Sequence, residues 1–130
     1  MSGREDGKTS IIIFRMSGRR EVTGLIEGAE RYLRDCFRSE SAPRAGELAA
    51  LLGMSAVQLS RAFAESVGMR PSRYLKARQI EFAQRLLTHT RLTTNAIAYR
   101  AGFGTRATFF RLFRELARAT PRRFAARPRA

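Results

Sequence analysis

This sequence predicts an all-α fold in which two helix-turn-helix subdomains are joined by a long central helix and preceded by a short N-terminal arm. Three observations predict it. From Glu27 onward the apolar residues recur at helical spacing. Residues 44–67 and 93–118 are two versions of one pattern, a short helix, a glycine turn and a longer helix. Between them Pro71 suits a first helical position, and the sixteen residues after it contain neither Gly nor Pro, so 71–87 reads as one uninterrupted helix.

Length and charge narrow the function. With 130 residues, 44% of them hydrophobic, the chain fits one compact domain plus an appendage. Residues 1–30 hold five basic and five acidic groups, so residues 31–130 carry the whole net charge of +14. Such a surplus on a folded domain points to a polyanion, and nucleic acid is the usual one. Only Lys8 and Lys76 are lysines; the other 23 basic residues are Arg, whose planar fork suits phosphate and guanine. A GC-rich genome would favour Arg codons as well. Cys36 is the single cysteine, which excludes an intramolecular disulfide and a multi-cysteine zinc site. No apolar run approaches the ~18 residues of a membrane span, and the N-terminus lacks a signal peptide's apolar core, so a cytoplasmic protein without membrane contact is expected.

Taken in order, residues 1–26 form the arm. Ser10–Arg15 is a β-branched run and Glu21–Ile26 could pair with it as a hairpin, to pack on the body, pair with a partner or stay mobile. From Glu27 an apolar face appears, with Ala29, Tyr32, Leu33, Cys36 and Phe37 at i, i+3, i+4, i+7 and i+8. Cys36 reads there as a small buried apolar residue. Ser39–Pro43 breaks this helix. Glu47–Leu52 makes the next, Gly53 the turn, and Ser55 with Gln58 a capping box that opens a helix burying Leu59, Phe63 and Val67. In the linker helix Leu75, Phe82 and Leu86 form the buried stripe. Thr93 caps the second unit, Gly102–Gly104 makes its turn, and Thr105 opens a helix burying Phe109, Phe113 and Leu116 or Ala117.

The copies superpose at the level of single residues. Ala49-x-x-x-Gly53 matches Ala98-x-x-x-Gly102 at an offset of 49, and Leu59-x-Arg61-x-Phe63 matches Phe109-x-Arg111-x-Phe113 at 50, so the second turn is one residue longer. Pro71-x-x-Tyr74 likewise matches Pro121-x-x-Phe124, and each unit ends by starting another helix.

These motifs, together with Gly68-x-x-Pro71-x-x-Tyr74-Leu75-x-x-x-Arg78, Ala83-x-x-Leu86-Leu87 and Ile97-Ala98-x-x-x-Gly102-Phe103, resemble the DNA-binding domain of the AraC/XylS family of bacterial transcription regulators. The resemblance covers about Glu27 to Arg127. It implies about seven helices within 27–130: two helix-turn-helix units at 44–67 and 93–118, the linker helix 71–87 and a terminal helix 121–127. Two departures stand out. Arg118 occupies the place matching Gly68, where the family often has a glycine, so the second unit ends differently or in a conformation that costs Arg about 1 kcal/mol. Ala125 follows the final aromatic, where members commonly carry Arg.

Carried over by position, the resemblance assigns base contacts to Val57, Gln58 and Arg61 in the first unit and to Arg106, Ala107 and Arg111 in the second. The three Arg could fork onto guanine O6 and N7, and Val57 could meet a thymine methyl. Phosphate anchoring competes for the Arg, packing for Val57, and the capping box for Gln58. Phe110, outward where the first unit has Ser60, either touches DNA or covers a neighbouring helix. Arg70, Arg73, Lys76, Arg100, Arg114, Arg122 and Arg123, with Arg127 and Arg129, read as phosphate contacts or a solvated positive face. Arg78 matches a position inside the family's linker helix and reads as structural.

The expected partner is therefore double-stranded DNA, bound by a monomer. A linker of roughly 25 Å could hold the two units about one duplex turn, roughly 34 Å, apart. The resemblance adds RNA polymerase as a protein partner. With about 26 residues ahead of Glu27, the chain resembles the stand-alone members, the alternative being a fragment of a longer regulator. Two other functions remain open: a nucleoid-type DNA binder indifferent to sequence, and a protein-interaction module. No cofactor or metal is expected, and no catalysis, since His89 is the only histidine and no nucleophile or phosphate-loop motif accompanies it.

Overall fold

The computed structural model describes residues 18–118 and Pro121, with side chains from Gly24 onward. The described residues form six α-helices and no strand. They are α1 (Gly18–Ser39), α2 (Ala45–Leu51), α3 (Ala56–Ser66), α4 (Pro71–His89), α5 (Thr94–Arg100) and α6 (Arg106–Ala117). Pro121 is helical too, at the expected start of the terminal helix; the rest of 121–127 lies outside the described residues.

The chain divides into two compact units. One takes the residues up to Arg34 together with Pro43–Leu75; the other takes Asp35–Ala42 and the chain from Lys76 onward. Two helices are shared: α1 gives its last turn to the second unit, and α4 gives its first turn to the first unit.

The expected hairpin is overturned in its second half. Glu21–Ile26 lies inside α1, which begins at Gly18 and not at Glu27, while Ser10–Arg15 lies outside the described residues. Leu25 supplies the reason. It stands four residues before Ala29 and is buried like Ala29, Tyr32 and Leu33, so the apolar stripe runs a turn further back. A two-stranded hairpin has no face of its own to bury, whereas one more helical turn adds a core side chain.

In the first unit the core holds Leu25, Ala29, Tyr32, Leu33, Leu48, Ala49, Leu59, Ala62, Phe63 and Leu75. Polar ties fix α1 to the helix-turn-helix through Tyr32 and to the start of α4 through Tyr74. The Tyr32 hydroxyl donates to Glu47 Oε1 at 2.5 Å and accepts the Arg44 N–H at 2.8 Å. The Tyr74 hydroxyl donates to Glu30 Oε2 at 2.6 Å, and the Tyr74 ring packs on Phe63 with centroids 5.3 Å apart.

The second unit is built on Ile80, Ala83, Ile97, Ala98, Ala101, Phe103, Phe109, Leu112 and Phe113. Phe37 stacks on Phe82 at 4.2 Å, which brings the last turn of α1 into this unit. Gln79, the buried polar side chain of α4, donates from Nε2 to the Ala101 carbonyl at 2.8 Å and so stays satisfied in an apolar setting. Arg78 pairs with Glu81 one turn on along α4.

Both turns are closed alike. Met54 N–H bonds the Ala49 carbonyl at 2.9 Å, and Phe103 N–H bonds the Ala98 carbonyl at 2.9 Å, so the offset of 49 seen in the sequence is an offset of backbone hydrogen bonds. Gly53 and Gly102 take φ of 70° and 81°. At the far end of the long helices the units differ. Gly68 has φ 86°, and the matching position keeps the left-handed conformation with an Arg, Arg118 at φ 57° and ψ 30°. The second unit therefore keeps the same left-handed conformation at the cost that a Cβ brings, while the hydrogen bond differs, Gly68 N–H reaching the Phe63 carbonyl and Arg118 N–H the Arg114 carbonyl.

Candidate nucleic-acid interface

α3 and α6, the longer helix of each unit, begin at a side-chain cap that fixes which residues face out. Ser55 Oγ accepts the Gln58 N–H at 3.1 Å while Gln58 Oε1 accepts the Ser55 N–H at 2.8 Å, a complete capping box. Gln58 is thus a cap, and its amide Nε2 is what it can still offer outward. In the second unit Thr105 Oγ1 accepts the Thr108 N–H at 3.1 Å and donates to Thr108 Oγ1 at 2.9 Å. Thr108 matches Gln58 in the overlay, so one position serves the cap in both copies by different chemistry.

With Leu59, Ala62 and Phe63 buried under α3 and Phe109, Leu112 and Phe113 under α6, the opposite faces are left to solvent. Val57 is 65% exposed, which removes packing as its role within the unit. Arg61 is exposed and Gln58 half-buried. On α6, Arg106, Ala107, Arg111 and Arg114 are exposed and Phe110 is half-buried. At 100° per residue Arg106, Phe110, Ala107 and Arg111 fall within an arc of about 140°.

The arginines of α6 are not equivalent. The Arg106 guanidinium lies over the Phe110 ring, 5.1 Å from its centroid, and Arg111 approaches Glu115 at 4.0 Å. Phe110 in turn meets Phe109 edge-on at 6.0 Å. The role of Phe110 within the unit is thus packing, with Arg106 laid on top. The four-residue spacing of Arg106 and Phe110 is the sequence signal for this pairing.

Among the residues expected at phosphates, Arg70, Arg73, Lys76, Arg100 and Arg114 are all exposed. Arg70 and Arg73 flank the start of α4 in the first unit; Lys76, Arg100 and Arg114 belong to the second. Arg100 also has a partner, Glu40, whose Oε2 lies 3.3 Å from its Nε. That pair spans sixty residues and left no trace in the sequence. Arg122, Arg123, Arg127 and Arg129 lie outside the described residues. No group of His, Cys, Asp and Glu among the described residues could hold a metal, and no described helix is long and apolar enough to cross a membrane.

A family model described as a helix-turn-helix domain matches residues 48–127, both turns and the linker helix included. The chain belongs to the AraC-type helix-turn-helix family. Its likeness to solved members of that family extends over most of its length. The DNA-binding domain of the global transcriptional factor AdpA, solved with a target DNA, aligns with a TM-score of 0.71 at 25% identity, covering 78% of this chain and 89% of that one. A transcriptional regulator of Chromobacterium violaceum described as AraC-type aligns with a TM-score of 0.70 at 25% identity, covering 85% and 96%. By sequence, an HTH-type transcriptional regulator of Mycobacterium tuberculosis is 43% identical over 76 residues, 58% of this chain. An HTH-type transcriptional regulator of Staphylococcus aureus is 37% identical over 78 residues, 60% of this chain. The chain spans 29% of the length of the first of these relatives and 10% of the second.

Proposed function

We propose that this AraC-type domain serves a transcription regulator as its sequence-specific reader of double-stranded DNA, inserting α3 and α6 into successive major grooves. The observation that carries the reading is the pair of capped helices, each turning an exposed polar face outward from an apolar floor, at the ends of one uninterrupted linker helix. Val57, Gln58 and Arg61 make the base contacts of the first unit, and Arg106, Ala107 and Arg111 those of the second. Arg61, Arg106 and Arg111 donate to guanine, Gln58 donates to a base acceptor through Nε2 alone, and Val57 and Ala107 meet thymine methyls. Arg70, Arg73, Lys76, Arg100 and Arg114, with Arg122 and Arg123, hold phosphates and set the register.

The 19 residues of α4 make a rod of about 28 Å, short of the roughly 34 Å duplex repeat unless the girth of the units is added. A single copy then occupies an asymmetric site of about two turns, with modest bending of the DNA. RNA polymerase is the protein partner expected of such a regulator. The DNA-bound relative and the family membership support the DNA reading; the +14 charge alone would equally suit a binder indifferent to sequence.

Selection of bound fragments from random duplex separates the two. The expected outcome is an asymmetric site near two turns long, bound ~10³-fold or more above random duplex at fixed salt. A ratio near one, or a palindrome that needs two copies, contradicts the proposal.

A further inference from the structure

Arg106 and Phe110 stand one helical turn apart at the start of α6, and the ring beneath the guanidinium is itself fixed. It meets Phe109 at an interplanar angle of 89°, and Phe109 is fully buried between Phe103 and Phe113, with centroids 5.2 and 5.6 Å away. One face of Phe110 is thereby offered in an orientation set by the core. A guanidinium held by its face keeps its five N–H donors in its own plane, so stacking and hydrogen bonding do not compete. Nothing like this exists in the first unit, where the matching residues are Ala56 and Ser60.

From this geometry we infer that Phe110 is a positioning residue, which holds the Arg106 guanidinium over its ring, 5.1 Å from the centroid, and presents its N–H edge as a ready two-donor fork to one guanine. It acts through Arg106, and its consequence is selectivity at a single base pair of the half-site read by α6. The inference rests on the reading of α6 as a recognition helix.

The test uses the full 130-residue chain, the selected duplex, and duplexes changed one base pair at a time. Arg106→Ala identifies the base pair concerned, as the one whose preference it abolishes. Phe110→Leu keeps apolar bulk on Phe109 and removes the π face. It is expected to weaken binding to the cognate duplex about two- to fivefold while leaving the duplexes changed at that pair unaffected. Phe110→Tyr should restore the preference, and Phe110→Leu should add nothing in the Arg106→Ala background. The salt dependence should not change, because no phosphate contact is lost. Thermal melts accompany every variant, with Phe110→Met replacing the leucine variant if that one unfolds early.

A loss equal on all duplexes, one that persists without Arg106, or a Tyr variant as poor as Leu overturns the inference. If Arg106→Ala removes a base preference and Phe110→Leu does not weaken it, the positioning role fails and the reading of α6 stands. If Arg106→Ala removes no preference anywhere, the base contact assigned to Arg106 fails and takes the positioning role with it, while the reading of α6 still rests on Ala107 and Arg111.

Discussion

The two helix-turn-helix units share their punctuation and differ in what they display. Both close the turn with the same backbone bond, bury Phe63 or Phe113 completely, and end the long helix with a left-handed residue. Outward, the first shows Ala56, Val57, Ser60 and Arg61, and the second shows Arg106, Ala107, Phe110 and Arg111. The interior of such a unit is set by the need to bury one stripe, and that need fixes spacing and size. The outer face has no such constraint, which is why its chemistry can diverge while the fold does not.

If the interiors are equivalent, Phe63→Ala and Phe113→Ala should cost alike, about 3–5 kcal/mol each, in chemical denaturation. A cost well under that at either site would show that one core is loosely built. At the surface the halves should separate. On the proposed contacts, Arg61→Ala should remove one guanine contact, about 1–3 kcal/mol of specific binding, and Arg106→Ala with Arg111→Ala should remove two. Titration of a labelled duplex at fixed salt checks this, and a larger loss from Arg61 alone would reverse the assignment of the stronger half.

How much of this the sequence discloses depends on range. The two turns, the caps at Ser55 and Thr105 and the burial of Phe63, Phe109 and Phe113 follow from local spacing, whereas Val67, Phe82 and Leu86, expected to be buried, are only half-buried. The helices concerned run over Ala45–Leu51, Ala56–Ser66, Pro71–His89, Thr94–Arg100 and Arg106–Ala117. Leu25 was misread because β-branched neighbours invited a strand and its burial depends on α1 packing against another segment. The Arg100–Glu40 pair depends on tertiary placement and could not be seen. The left-handed Arg118 was flagged only because its counterpart is Gly68.

That last contrast predicts opposite effects from exchanging the residue types. Gly68→Ala should destabilise by about 1 kcal/mol, since a Cβ there meets nothing within 4 Å and the cost is conformational alone. Arg118→Gly should stabilise by up to about 1 kcal/mol, the relief of strain being partly offset by the freer unfolded chain. Equal signs in paired thermal melts would contradict the shared geometry. The smallest effect is expected at Glu40, which occupies Arg100 in the second unit; the matching residue of the first is Leu51, exposed and uncharged. Glu40→Gln should leave stability within about 1 kcal/mol and raise DNA affinity slightly at low salt, an advantage that disappears as salt screens the phosphates. A weaker complex would show that Arg100 needs Glu40 to reach its phosphate.

The central claim is that α4 sets the angle between two readers, and an insertion within it tests that claim most directly. Two alanines placed between Leu75 and Lys76 fall where α4 passes from one unit to the other, and a thermal melt checks that the last turn of α1, which Phe37 holds against Phe82 in the second unit, still packs. The two alanines would turn the part of α4 beyond Leu75 by about 200° about the helix axis relative to the part before it, and advance it by about 3 Å. The measurement is affinity for the selected site and for random duplex at the same salt. The expected result is that binding to the selected site falls to the level of random duplex while the random affinity holds. Unchanged preference for the selected site would contradict reading by two helices held in fixed register.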